Sequence, residues 1–100
     1  MSQIYNQNIE LFVLDAVANN IAVGYEPTAV YLTNLTTLDT FFWTPVLGAQ
    51  TIQQSALGVR TNVGGSLIAL SPAGVSDQNG FRVLNAIGTT GDLFLYQTIR

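Results

Sequence analysis

The fold is decided by residues 29–44, AVYLTNLTTLDTFFWT, where two runs of β-prone residues flank a polar turn. The first run, residues 29–35, is rich in Val, Tyr, Leu and Thr, and the second, residues 40–44, contains the triplet FFW. Branched and aromatic side chains fit the pleated surface of a sheet. Pro45 closes the second run, because proline cannot donate to a sheet ladder. The stretch therefore predicts two successive strands.

The same pattern of short strand-like runs and turn signals continues on both sides of this stretch. Asn19-Asn20 and Gly64-Gly65 mark turns, and the runs recur at roughly 8–14 residues, as in a sandwich or small barrel. The only stretch with tolerable helix propensity, residues 11–22, is interrupted by the asparagine pair. The predicted strands are residues 9–14, 21–25, 29–35, 40–44, 51–56, 66–70, 80–84 and 92–98.

The sequence thus predicts an all-β protein, either a small antiparallel β-sandwich or a jelly-roll-like barrel, with about eight strands. A chain of 100 residues has room for one domain, which we place at residues 9–100. Residues 1–8 precede it as a polar N-terminal arm in which Ile4 and Tyr5 are embedded. Such an arm is suited to ordering against a partner, and a frayed terminus is the alternative.

The composition is unusually poor in charge. Only 9% of the residues are charged and none is lysine, where about 25% charged residues are usual. Asn, Gln, Ser and Thr together contribute 31 residues instead. A free monomer normally stays soluble through surface charge, so this composition favours a surface that is covered by identical copies or by a partner. A net charge of −3 with three arginines argues against binding a nucleic-acid backbone.

Several predicted strands are apolar on both faces. Leu11 alternates with Phe12 near the beginning of the chain, and Leu95 alternates with Phe94 near its end. In a two-layer sandwich only one face of each sheet meets the core. The second face needs another cover, and because the predicted loops are short, we expect a neighbouring subunit to provide it.

The sequence does not contain the side chains that most enzymes use. The absence of His and Cys excludes nucleophilic triads, imidazole acid–base catalysis and thiolate metal sites. We therefore predict a protein that is not an enzyme and needs no cofactor. The longest charge-free run, residues 40–59, is too polar to span a bilayer, and we expect neither a membrane location nor a secretion signal. The six carboxylates occupy no recognisable paired setting: Glu10, Asp15, Glu26, Asp39, Asp77 and Asp92.

Aromatic and cationic residues are the candidates for recognition. Alternation places Phe41 and Trp43 on one face of a strand and Phe42 on the other, so Phe42 is the candidate exposed anchor, unless all three are buried. Arginine is favoured at interfaces because its planar guanidinium pairs bidentately, although a solvated charge is the alternative. The predicted partner interface contains Ile4, Tyr5, Phe42, Trp43, Arg60 and Arg82.

Two segments resemble small phage virion proteins. Residues 24–27, GYEP, form a Gly-aromatic-x-Pro turn that leads into a strand ending near Asn34, and Trp43 follows on the next strand. Residues 80–96, with Gly80-Phe81 and the run GDLFLY, resemble the closing hairpin of those proteins. The resemblance implies a capsid decoration (cement) protein on the virion surface, made in the host cytoplasm, with the major capsid protein and its own copies as partners.

The resemblance leaves two further points as hypotheses. Cyclic trimers match sites of local three-fold symmetry, so a homotrimer is expected. A tail, fibre or spike component is the alternative, including a carbohydrate- or receptor-binding β-sandwich in which Trp43 and Asp39 would contact the ligand.

Overall fold

The computed structural model describes residues 7–16, 19–70 and 79–100. These residues contain two single-turn 3₁₀ helices, Pro45–Leu47 and Asn85–Ile87, and no helix among them is long and apolar enough to cross a membrane. All other regular structure in the described residues is strand: β1 (Gln7–Val13), β2 (Asn19–Ala22), β3 (Ala29–Asn34), β4 (Thr40–Trp43), β5 (Thr51–Gln54), β6 (Arg60–Val63), β7 (Ile68–Leu70), β8 (Gly80–Val83) and β9 (Leu93–Ile99).

The strands form two antiparallel sheets. The larger sheet has six strands in the order β1-β9-β3-β4-β5-β6, and the smaller has three in the order β2-β8-β7. Side chains from both sheets share one apolar core. The prediction of an all-β, sandwich-like fold is confirmed.

The stretch that decides the fold pairs as an antiparallel hairpin. Val30 of β3 lies opposite Trp43 of β4, and Leu32 lies opposite Phe41. All four side chains are buried on the inner face, whereas Phe42 between the two aromatic residues is half-buried on the outer face. The alternation read from the sequence is therefore present in the structure.

Aromatic rings from both sheets fill the core. Phe81 of the smaller sheet meets Tyr96 of the larger sheet edge to face, with ring centroids 5.4 Å apart. Phe12 of β1 stacks on Phe94 of β9 at 5.3 Å. Burying each such ring contributes about 1.5–3 kcal/mol. The contact between Phe81 and Tyr96 thus joins the two sheets, and the contact between Phe12 and Phe94 joins β1 to β9 within the larger sheet.

A buried polar cluster fixes the turn between β3 and β4. The side-chain oxygen of Asn34 accepts hydrogen bonds from the backbone N–H groups of Thr36 and Thr37 at 2.9 and 3.1 Å. The Asn34 amide also donates to Asp92 Oδ2 at 2.8 Å, and the backbone N–H of Thr89 donates to the same oxygen at 3.0 Å. The bond from Thr89, followed by the bond from Asn34, lowers the pKa of Asp92 below its ordinary value of 3.8. Asn34 therefore ends its strand and ties the turn to the beginning of β9.

Most strand bounds differ from the predicted ones by one or two residues, and three differences stand out. The prediction that Asn19-Asn20 forms a turn before a strand at residues 21–25 is wrong: both asparagines begin β2, where they pair with Val83 and Arg82 of β8. β2 ends at Ala22, and Gly24 beyond it adopts a positive φ of 84° that ends the extended conformation.

β6 was not predicted, because its residues Arg60–Val63 are polar and mostly exposed and carry no apolar alternation. The predicted strand at residues 66–70 begins instead at Ile68, because Ser66 adopts a positive φ of 55° that breaks an extended conformation. In the predicted N-terminal arm, β1 begins at Gln7, and residues 1–6 lie outside the described residues.

Candidate functional site

The outer face of the six-stranded sheet points away from the smaller sheet, and no described residue packs across it. Pairing across the strands arranges most side chains of this face in two transverse rows, each of which crosses all six strands. The first, which we call the aromatic row, contains Ile9, Gln97, Tyr31, Phe42, Ile52 and Asn62. The second, which we call the polar row, contains Leu11, Leu95, Thr33, Thr40, Gln54 and Arg60.

One end of this face is mostly apolar. Ile9, Leu11 and Val13 project from β1 and remain 57%, 56% and 59% exposed. They lie opposite β9, whose Leu93 and Leu95 continue the same surface. We call these five residues the apolar strip. Their side chains form one contiguous apolar surface across the two strands.

The other end of the face forms a shallow open depression with a volume of about 490 Å³. Tyr31 and Phe42 are neighbours across β3 and β4, with ring centroids 4.8 Å apart and planes tilted by 45°. Ile52 continues the apolar floor. Polar side chains surround the floor, and we call the whole the aromatic depression: Tyr31, Thr33, Thr40, Phe42, Ile52, Gln54, Arg60 and Gln97.

The electrostatics of the face are simple. Among the described residues of β1, β9, β3, β4, β5 and β6 that point outward, Arg60 is the single charged side chain. It lies on the edge strand β6, opposite Gln54. The apolar strip lies at the opposite edge of the sheet, on β1. A partner that covers the strip meets no charge there, whereas a ligand in the depression meets one guanidinium.

The edge strand β1 carries a charged residue, Glu10, on its inner side. Glu10 accepts a hydrogen bond of 2.7 Å from the hydroxyl of Tyr96. Burial of the Tyr96 ring, followed by the bond to Glu10, raises the pKa of Tyr96 above its usual value of 10. A fixed carboxylate on an edge strand opposes pairing with another strand. At this end of the molecule, the side chains of the strip and not the backbone edge of β1 are therefore the surface available for contact.

The structure separates the residues predicted for the interface. Phe42 and Arg60 both line the aromatic depression. Trp43 is only 3% exposed, and its Nε1 donates to the carbonyl of Gly48 at 2.9 Å, so we leave it out of the site. Arg82 alternates with the buried Phe81 and Val83 and therefore faces the opposite side of the sandwich.

The remaining sequence candidates lie elsewhere. Ile4 and Tyr5 lie outside the described residues. Asp39, which was considered for ligand contact, instead serves the local turn: its carboxylate accepts bonds from the Thr37 hydroxyl at 3.0 Å and from the backbone N–H of Ala56 at 3.2 Å. Within the part of the chain that the structure describes, no three His, Cys, Asp or Glu residues are grouped closely enough to hold a metal ion.

Sequence reasoning missed most of the aromatic depression. Tyr31 was read as part of a strand, and Gln54 and Gln97 were read as strand residues without a role. Their proximity depends on which strands are neighbours, because β9 inserts between β1 and β3. No local sequence pattern indicates the order of the strands in the sheet.

Comparisons with protein-family models, with curated proteins and with solved structures give no match to this chain. The resemblance to phage virion proteins therefore stays a prediction.

Proposed function

We propose that this chain is a structural protein of a phage particle, a capsid decoration protein that binds the major capsid protein and its own copies. The observation that carries the proposal is the apolar strip on the outer face of the six-stranded sheet. Three exposed aliphatic side chains in alternate positions of one edge strand are costly to leave in water, at about 25 cal/mol per Å² of apolar surface. In an assembled particle, a neighbouring protein covers these side chains and removes them from water.

The surface around the strip supports contact with neutral protein surfaces. The strip contains no charged side chain, and the whole chain has only nine charged residues per hundred. Copies of the same protein are therefore electrostatically suitable partners for one another. The strip is small: two strands about 4.8 Å apart with about 3.3 Å per residue give a patch of roughly 150–200 Å².

A stable interface buries about 800 Å² per partner, so the strip forms only the centre of the proposed trimer contact and the surface around it contributes the rest. Attachment of the trimers to the capsid also gains from their number. Many copies attach to one shell at the same time, and multivalent attachment strengthens weak contacts without new ones. We therefore propose a homotrimer on the capsid surface, in which each copy contributes its strip and each trimer also contacts capsomers.

Light scattering during size-exclusion chromatography tests the self-contact. We expect a species near three times 10.8 kDa for the unaltered protein. The double variant Leu11→Thr/Val13→Thr places β-branched threonines, which favour strands, on β1 and makes this part of the strip polar. We expect it to elute as a monomer. Val46→Thr is the matched control, because Val46 is 91% exposed and lies in the Pro45–Leu47 turn, away from the strip.

A monomeric unaltered protein, or a trimer that survives the double substitution, would contradict the self-contact. The location needs a separate test, which is quantitative mass spectrometry of purified virions of the encoding phage. We expect this chain at a copy number comparable with that of the major capsid protein. Its absence, or presence in only a few copies, would refute the decoration role.

A further inference from the structure

We propose that the aromatic depression is a binding site for an acidic oligosaccharide that lies across strands β3 to β6. This site goes beyond the proposed assembly role, since none of its lining residues belongs to the apolar strip. It is also chemically different from the strip, because it combines aromatic rings with amide, hydroxyl and guanidinium groups.

The size and the floor of the depression fit a sugar ring. Its volume of about 490 Å³ lies within the range of small-ligand sites, about 300–1,000 Å³. Tyr31 is 43% exposed, and the half-buried Phe42 supports it at 4.8 Å. The face of an aromatic ring is electronegative, so it attracts the weakly positive C–H groups on the flat side of a pyranose.

The polar groups around the floor are free to bind a ligand. Within the described residues, the structure gives no intramolecular hydrogen bond to the side chains of Gln54, Gln97 or Arg60, although all three line the depression. Each glutamine amide offers donors and acceptors together. Sugar hydroxyls also donate and accept, so they match amides and threonine hydroxyls better than a purely accepting or purely donating ligand does.

The spacing favours a chain of sugars rather than a peptide. Neighbouring strands lie about 4.8 Å apart, so a ligand that crosses β3 to β6 meets a new side chain at intervals close to the length of one sugar residue. A peptide must satisfy an N–H and a carbonyl at almost every residue. The backbone groups of β3, β4 and β5 already pair within the sheet, so they cannot satisfy the backbone of a peptide.

The charge of the site selects an acidic sugar. Arg60 is the charged residue that lines the depression, and no carboxylate lines it. The guanidinium is a rigid fork that pairs bidentately with a carboxylate or sulfate. We therefore expect the acidic group of the ligand at the β6 end and a sugar ring over Tyr31.

Isothermal titration calorimetry tests the site with named probes. The acidic probes are tetragalacturonic acid, a hyaluronan tetrasaccharide and 3′-sialyllactose, and the neutral probes are cellotetraose and lactose. We expect at least one acidic probe to bind at millimolar or lower concentration and to bind more tightly than the neutral probe of similar length. If none of the three acidic probes binds, or the neutral probes bind equally well, the proposal is overturned.

Three variants locate the site. Arg60→Gln removes the charge and should weaken the acidic probe roughly tenfold or more, while leaving neutral-probe affinity unchanged. Tyr31→Ala should remove most of the binding. Tyr31→Phe keeps the ring and should retain most of the affinity, and it remains a usable probe of the ring if the alanine variant fails to fold. Unchanged affinity for the acidic probe in Arg60→Gln, or in a folded Tyr31→Ala variant, would refute the assignment.

The strip variant separates this proposal from the assembly role. Leu11→Thr/Val13→Thr should abolish self-association and keep saccharide binding, because neither residue lines the depression. Loss of binding in that variant, with its fold intact by circular dichroism, would show that the ligand needs the assembled form and would overturn an independent site. A monomeric unaltered protein that binds the acidic probe would contradict the proposed trimer alone.

Discussion

The replacement of Trp43 by alanine decides whether its ring belongs to the core or to a contact surface. The side chain is 3% exposed and donates a hydrogen bond to the carbonyl of Gly48. Truncation of a buried aromatic side chain to alanine costs about 3–5 kcal/mol, and the lost hydrogen bond contributes about 1 kcal/mol of that loss. Domains of this size unfold with about 5–15 kcal/mol. We therefore expect Trp43→Ala to lose about 4 kcal/mol and a large share of its stability.

Urea unfolding followed by circular dichroism measures this loss, because Trp43 is the single tryptophan and its own fluorescence disappears with the substitution. Trp43→Phe keeps most of the ring volume and should lose only about 1–2 kcal/mol. Tyr31→Ala is the surface control, and it should cost less than about 1 kcal/mol because its ring is substantially exposed. A cost below 1 kcal/mol for Trp43→Ala, or equal costs for Trp43→Ala and Tyr31→Ala, would refute the placement of Trp43 in the core.

Three further predictions concern packing and pH. Gly80→Ala would place its Cβ 1.8 Å from the carbonyl oxygen of Ile21, so we expect a thermal unfolding scan to show a loss of at least about 2 kcal/mol. The hydrogen bonds of Asp92 hold its pKa below 3.8; this stabilisation is present above pH 3.8 and is lost as pH falls through the lowered pKa, and Asp92→Asn should flatten that part of the acid unfolding curve. The pKa of Tyr96 is raised above 10. The stabilisation that its protonated hydroxyl gives the folded state is therefore fully present below pH 10 and is lost as pH rises through the raised pKa. Tyr96→Phe should flatten that alkaline decline, while the lost bond to Glu10 costs less than about 1.5 kcal/mol at neutral pH; an unchanged alkaline curve would contradict this assignment.

The sequence predicted the fold wherever burial leaves a local pattern. Phe41 and Trp43 lie on the inner face and Phe42 on the outer face, because alternate side chains of a strand point to opposite faces. β6 escaped prediction because an edge strand with exposed polar side chains needs no apolar alternation. β6 forms because it pairs with β5 in a hairpin. The composition of β6 alone does not indicate that pairing.

The candidate site was predictable only in part, for a related reason. The apolar outer face of β1 was visible in the sequence as Leu11 and Val13 alternating with Phe12. The aromatic depression was not visible, because it joins residues from β3, β4, β5, β6 and β9. Tyr31 and Gln97 are far apart in the chain and become neighbours through the antiparallel register of β3 and β9. Such register is fixed by the assembled core, and a single sequence does not display it.

The insertion of β9 between β1 and β3 has a mechanical consequence. β1 carries most of the apolar strip, and among the described strands it pairs with β9 alone. A pull exerted on the strip by a neighbouring molecule therefore reaches the rest of the larger sheet through the seven residue pairs of the β1–β9 ladder. When the pull runs along the strands, these hydrogen bonds are strained together instead of opening one after another. The strand arrangement thus makes the proposed attachment strongest against sliding along the strands and weakest against peeling of β1 from the sheet edge.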